Sequence, residues 1–280
     1  MKLESLFPHS FKAIRETISP DVRKSVDLSI PSMPMVEACR ADDFDFFTPF
    51  IAAGDLSVEQ MQHACQRYYL GKTKSGQPVF WMIDDMLTPL DAHIGSSDSS
   101  VWMSTLLKAR EPLIDSWCVT HCLFGLHILC HTEITEITER PKGQMEITER
   151  APTSHTQPVP KALSVISEIS VCHKKSVCVV ESEESAVILS ELLPEYVWMA
   201  YATTAHLRPE LFAPLKGHKV VLFPRTDPTL SNYLFFKDLA ALVRQEYEID
   251  ISVDDTLEDH ASDEQKERCI DLVDFLFSHG

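Results

Sequence analysis

"SVCVVESEESAVILSELLPEYVWMAY" (Ser176–Tyr201) decides how the chain is read. Ser176 to Val180 read as a short, mostly apolar run, too brief for a helix and rich in valine, which predicts a buried strand. Ser182 is a helix N-cap, and Pro194 stops the apolar-periodic segment that it opens. Tyr196 to Tyr201 then read as a second strand. Strand, helix, strand with such short joints is a parallel crossover unit, because parallel neighbours cannot be joined by a hairpin.

The rhythm continues to the end of the chain. "RPELFAPLKG" suggests a short helix from Pro209, and "HKVVLFP" a third buried strand. "SNYLFFKDLAALVRQEY" reads as a helix, "EIDISV" as a strand, and "SDEQKERCIDLVDFLF" as one last helix with Ser262 as its N-cap. Alternating strands and helices predict a mostly parallel sheet with right-handed crossovers. Ligands of such sheets gather at the carboxyl ends of the strands. Glu181 follows the first strand directly, while Arg225 and Asp227 follow "KVVLFP". Carboxylates on one rim are the usual way to hold Mg²⁺, a hard cation that prefers oxygen, so Glu181, Asp227 and Glu183 are the candidate metal ligands. Arg225 is the residue that does not belong in such a set, since a guanidinium donates five N–H groups and accepts none.

The first half, residues 1–130, reads as a smaller α+β part. "ADDFDFFTPFIAAG" sets Phe44, Phe47 and Ile51 at helical spacing before Gly54. The next helix starts at the N-cap Ser57, carries Val58, Met61, Cys65 and Tyr68 or Tyr69 on one face, and ends near Gly71. "QPVFWMIDD" alternates as a strand, and "WCVTHCLFGLHILCH" is an apolar segment with Gly125 inside it. Between the halves, residues 131–164 contain "EITER" twice, at Glu136–Arg140 and Glu146–Arg150, which reads as a low-complexity linker; a β-hairpin turning at "PKGQ" is the alternative. Residues 165–280 are the second domain.

Composition sets limits on partners. The chain of 280 residues carries a net charge of −17. Polyanion binders draw most of their affinity from Lys and Arg, so contact with nucleic acid here requires a local basic patch or bridging metal ions. Arg208, Lys216 and Lys219 form the modest cluster available, with Trp198 or Tyr201 as stacking partners. Lys174 and Lys175 precede the first strand and belong to its opposite end. No apolar stretch approaches the ~20 residues of a membrane helix, and no signal peptide is recognisable, so the expectation is a cytoplasmic protein with no membrane partner. The eight cysteines show no C-x-x-C pair. Cys118, His121, Cys122, His127, Cys130 and His131 offer zinc-ligand types, but zinc ligands normally come from separate turns or strands and cysteine is a common core residue, so packing is the expected role. His206 and His218 flank the expected rim, and the phosphate-cradling glycine loops of nucleotide enzymes are missing.

"VVESEESAV" (Val179–Val187) and "KVVLFPRTDP" (Lys219–Pro228) resemble the two motifs of the Toprim domain of primases, topoisomerases and related nucleases. In that family a glutamate acts as general acid or base and an acid-x-acid pair positions divalent metal; Glu181 matches the glutamate and Asp227 the second acid. "FWMID", "HCLFGLHIL", "LKGHKVVLFP" and "DLVDFLF" follow the order of an uncharacterised, primase-related family of bacterial mobile elements. The resemblance implies a Toprim-like, Rossmann-like sheet and a role in DNA replication or mobilisation. Its departures are Arg225 in place of the first acid, Glu184 where that family has lysine, and no glycine between Ala200 and Leu207. The expectation is a non-catalytic or weakly active accessory that binds a replication or mobilisation partner or single-stranded nucleic acid, without cofactor. The alternatives are a Mg²⁺-dependent nucleotidyl transferase or nuclease using Glu181 and Asp227, and an acidic protein-binding module.

Overall fold

Two four-stranded sheets organise a computed structural model that describes residues 31–95, 100–110, 121–130 and 175–277. The linker segment, Cys118, His131 and Lys174 lie outside the described residues. The N-terminal sheet is antiparallel in the order β1 (Gly71–Lys72), β2 (Pro78–Ile83), β3 (Pro89–Ile94), β4 (Val101–Trp102). The C-terminal sheet is parallel. Its strands are β5 (Val177–Val180), β6 (Val197–Ala200), β7 (Lys219–Leu222) and β8 (Asp250–Val253), and they lie in the order β6-β5-β7-β8. The protein is thus mixed α/β, with the parallel sheet in its C-terminal half.

The continuous apolar runs have a direct cause. Every residue of β5 and β6 is buried, as parallel strands covered on both faces must be. Helix α5 (Glu183–Leu192) connects β5 to β6 and packs on both, and helix α6 (Ser231–Tyr247) connects β7 to β8. The two crossovers step in opposite directions along the sheet. With right-handed connections this puts α5 and α6 on opposite faces. Ser182 caps α5, its hydroxyl accepting from the Ser185 amide. After a short helix α7 (Thr256–His260), the segment expected to be one last helix is two pieces: α8 (Asp263–Glu267) opens at Ser262, and α9 (Leu272–Phe277) follows a break at Cys269, whose φ is +51. Asp271 restarts the helix by capping it: its Oδ1 accepts from the Asp274 amide at 2.9 Å, and Asp274 accepts in return from the Asp271 amide.

In the N-terminal half, α1 (Met33–Ala38), α2 (Thr48–Ala53) and α3 (Val58–Arg67) precede the sheet, and α4 (Met103–Arg110) follows it. Ser57 and Gln60 form a reciprocal capping box at α3. That helix ends at Arg67, earlier than Gly71, because Tyr69 already turns left-handed and Gly71 begins β1. Gly71 is there for space: a Cβ on it would meet Cys39 Sγ at 2.5 Å. Strand β2 separates two apolar clusters, with Val79, Trp81 and Ile83 facing one and Phe80 and Met82 the other.

The second of these clusters is continuous with the parallel sheet. Phe80 and Met82 share it with Tyr68, Phe124, Trp198 and the β5 residues. Phe124 pairs with Ala200 as an antiparallel bridge beyond β6, donating to its carbonyl at 2.8 Å and accepting from its amide at 3.1 Å. The Tyr68 hydroxyl donates to the Trp198 carbonyl at 2.8 Å, inside a stack with Phe124. Gly125 passes so close that a Cβ would lie 3.0 Å from both the Trp198 carbonyl and the Tyr68 ring, and its φ is +86. The two halves therefore share one core. Replacing Gly125 with Ala is expected to cost at least about 1 kcal/mol from the left-handed backbone alone, before any contact is displaced. Tyr68→Phe is expected to cost about 1 kcal/mol for one buried hydrogen bond. Urea denaturation, with midpoints compared at constant slope, checks both; a Gly125→Ala midpoint equal to wild type refutes the packing described here.

Candidate functional site

The chain leaves β5 in the middle of the sheet, turns to β6 on one side, and returns to β7 on the other. Between β5 and β7 the direction of winding reverses, which opens a crevice at the carboxyl ends. A cleft of about 580 Å³ lies there, lined among others by Glu181, Thr204, Arg225, Asp227, Asn232 and Phe235. The structure thus brings together three of the residues singled out from the sequence: Glu181, Arg225 and Asp227.

Their chemistry differs from a metal site. Arg225 Nε is 3.2 Å from Glu181 Oε2. Burial pushes the Glu181 carboxyl above the ordinary range; Arg225 pulls it back only in part, and nearby Asp271 and Glu183 push in the same direction as burial. The Tyr201 hydroxyl is buried beside the same carboxylate, and that burial raises it well above the usual phenol range. Asp227 lies in the loop just ahead of α6. Its Oδ1 accepts from the amide and hydroxyl of Thr229, at 2.8 and 2.5 Å, and from the amide and hydroxyl of Ser231, at 3.3 and 3.2 Å. Its Oδ2 accepts from the Asn232 amide at 2.8 Å. Partial burial raises this acid, but the Thr229 hydroxyl and the Asn232, Thr229 and Ser231 amides outweigh it and hold the group at about 2. Asp227 is a helix cap, in a position where Leu230 is left-handed and offers no side-chain cap of its own.

Glu183 turns away from the cleft. It is buried, with Oε1 2.7 Å from His93 Nδ1, and so ties α5 to β3 of the N-terminal sheet. His93 stacks in turn on Trp102. The expected metal trio of Glu181, Asp227 and Glu183 is therefore dispersed into three separate structural roles. The remaining acid donors do not fit a Mg²⁺ ion: one carboxylate faces a guanidinium and the other accepts five hydrogen bonds. Among the described residues no three of His, Cys, Asp and Glu stand together as a cation site.

The other candidates fall elsewhere. Lys219 begins β7, at the end of the sheet opposite the cleft, and Lys216 just before it pairs with Glu248 at 2.8 Å. His218 precedes the same strand, so it does not flank the rim as expected. Arg208 is exposed ahead of the 3₁₀ turn Pro209–Leu215. Trp198 and Tyr201 are both buried, Trp198 donating to the Leu193 carbonyl, so neither offers a free face for stacking bases. Lys175 binds the Pro194 carbonyl at the opposite end from Glu181. His206 lies in the 3₁₀ turn Thr204–His206. His127 is buried against the Arg67 carbonyl and Cys130 donates to the Asp85 carbonyl, as core and loop groups rather than zinc ligands.

Sequence reasoning missed Asp271, Thr226 and Ala202. Asp271 is buried; its Oδ2 accepts from the Ser185 hydroxyl, and burial raises its carboxyl. The signal was the D-x-x-D spacing after "RCI". Ala202 occupies the left-handed position after β6 (φ +61) where a glycine is absent, and its amide donates to the Glu181 carbonyl at 3.0 Å. Ala202, Leu230 and Cys269 give the surroundings of the cleft three left-handed non-glycine residues. Such costs persist where surrounding structure fixes them, and they concentrate at functional sites.

Residues 166–226 match a family described as a domain of unknown function, DUF6371, a span that includes Glu181 and Arg225. No curated protein matches the chain.

Two outcomes test this electrostatic picture. Asp227→Ala removes a cap and is expected to destabilise by about 1 kcal/mol, read from the urea midpoint. The native state also holds Glu181, Asp271, Asp91 and Asp254 as raised carboxyls, each with burial as the largest cause. A raised carboxyl binds more protons folded than unfolded, so its stability contribution is present at low pH and is lost as pH rises above the ordinary carboxylate range through the folded value. Asp227 has the opposite sign, but its contribution is lost only as pH falls from 3.8 toward about 2. Thermal midpoints are expected to rise as the protein is taken from neutral pH to mildly acidic pH, with a shallower slope in Glu181→Gln. A midpoint that falls over that interval contradicts the assignment.

Proposed function

We propose that the chain is a Toprim-like accessory protein of DNA replication or mobilisation in a mobile element, acting without metal-dependent phosphoryl transfer. The observation that carries this reading is the state of the two acids that the Toprim resemblance selects. Glu181 faces the guanidinium of Arg225 at 3.2 Å, and Asp227 is engaged by five donors from Thr229 and the start of α6. A guanidinium ligates no cation and carries a fixed positive charge, so it repels Mg²⁺ from the place where the acid-x-acid pair would hold it. The parallel order β6-β5-β7-β8, with Glu181 after the first strand and the Arg-x-Asp sequence after the third, supports the Toprim likeness.

The partner on this reading is a replication or mobilisation protein. Single-stranded nucleic acid is a weaker match, because the basic residues Arg208, Lys216 and Lys219 are not gathered around the cleft and the net charge is −17. That charge also favours a second reading, an acidic module that binds a basic partner protein.

The test is a calorimetric titration of Mg²⁺ and Mn²⁺, alongside primer-synthesis and nuclease assays. No stoichiometric binding and no turnover are expected. Stoichiometric Mn²⁺ binding that Glu181→Ala abolishes overturns the proposal and restores the nucleotidyl transferase or nuclease. Gel shifts at two salt concentrations address the partner class: a shift that weakens steeply with salt marks phosphate contacts, and no shift favours a protein partner.

A further inference from the structure

The cleft retains features that helix capping and the ion pair leave unexplained. Arg225 approaches Glu181 through Nε, at an ion-pair distance of 3.2 Å without hydrogen-bond geometry, and the side chain is 41% exposed. Thr226, next to it, is fully buried on the cleft lining, and its hydroxyl has no hydrogen-bond partner. An unpaired buried hydroxyl is destabilising and calls for a reason. Phe235, one helical turn beyond Ser231, lines the same cleft while remaining 42% exposed, its ring braced edge-to-face on Phe236 at 5.3 Å.

These groups are held before any ligand arrives. The Thr226 amide donates to the Ile270 carbonyl at 3.1 Å, and Asn232 Nδ2 donates to the Arg225 carbonyl at 2.7 Å. The Arg225–Asp227 loop is thus fastened to the α9 entry on one side and to α6 on the other. Preorganised donors lose less freedom on binding than mobile ones. The volume of about 580 Å³ falls within the range of small-molecule sites.

We infer that this cleft binds a small oxyanion joined to a flat ring, an aromatic phosphomonoester or carboxylate, with Arg225 and Thr226 on the oxyanion and Phe235 against the ring. This rests on the reading that Arg225 stands in the metal's place. One guanidinium matches one terminal oxyanion through paired N–H donors. It does not match a long polyanion, which the net charge repels. Asp227 stays ionised on the cleft lining, with both of its oxygens already accepting from Thr229, Ser231 and Asn232. Glu181 is the competing anion for Arg225, and it is faced also by Asp271, Glu183 and Tyr201. Removing its charge frees the guanidinium.

The test is isothermal calorimetry in EDTA, with phenyl phosphate, adenosine monophosphate, methyl phosphate and inorganic phosphate as probes. Phenyl phosphate and adenosine monophosphate are expected to bind with one site, at least fivefold tighter than methyl or inorganic phosphate. Phe235→Ala, an exposed position, is expected to erase that ring preference while leaving the weak phosphate binding. Glu181→Gln is expected to tighten all phosphates severalfold, a gain that misfolding does not produce. A 5′-phosphorylated oligonucleotide included in the series separates a free phosphomonoester from a strand terminus: it is expected to bind more weakly than adenosine monophosphate, and equal or tighter binding overturns the assignment to a small ligand. No heat with either ring phosphate, or a Glu181→Gln protein that binds them no better than wild type, overturns the inference. Because EDTA is present throughout, that failure is distinct from the metal titration that tests the functional reading.

Discussion

One fixed positive charge governs the centre of this protein. Arg225 sits where the winding of the parallel sheet reverses, against a glutamate that burial makes reluctant to ionise. Without a cation at this point, Glu181 and Asp271 would face each other's field in a poorly solvated rim, and both would be driven toward protonation. A divalent ion solves that problem in metal enzymes by bringing charge from solution. Here the chain carries the charge covalently, so neutralisation does not depend on ion concentration. The consequence is chemical: a guanidinium donates hydrogen bonds in a plane and cannot activate water as a Lewis acid does. On the proposed reading the same residue that stands in the metal's place also lines the cleft.

Support for the rim comes from the other half of the molecule. Glu183 begins α5 directly after the strand end that bears Glu181, and its side chain reaches His93 on β3. Phe124 adds a bridge to the edge of β6, and Tyr68 binds the backbone of the same strand. The N-terminal half therefore braces the edge strand, whose free backbone groups would otherwise be open to pairing with another chain. Capping is just as direct on the opposite face, where Asp227 fixes the start of a 17-residue helix. An acid that resembles a catalytic ligand in sequence is thus the hinge between β7 and α6.

Much of the parallel sheet was legible because its strands are buried on both faces and bounded by strong signals. Ser182 and Pro194 bracket α5, and the run from Ser231 to Tyr247 matched its helix at both ends. The break at Cys269 was not legible, because nothing but the D-x-x-D cap distinguishes Asp271 from one more polar position on a continuous helix, and a cysteine at positive φ has no local signature. Gly71 misled for a similar reason: glycine suggests a helix end, whereas here it admits the Cys39 thiol. Proximity of Glu181, Arg225 and Asp227 followed from the strand-end rule. The roles of their side chains did not, since spacing cannot distinguish a carboxylate that faces solvent from one that turns back onto its own helix.

The overall acidity takes on meaning beside this arrangement. A chain with net charge −17 has a field that discourages polyanions everywhere on its surface. The sheet's amino end holds Lys219, with Lys216 already paired to Glu248, so among the described residues these lysines do not lead toward the cleft. A ligand that enters must then be small enough to meet the Arg225 field at close range before the long-range repulsion dominates. Screening sets that scale, about 8 Å at physiological salt. Within such a distance the guanidinium, the unpartnered Thr226 hydroxyl and the Phe235 ring act together, and the acid background becomes a filter that admits compact anions while turning away strands.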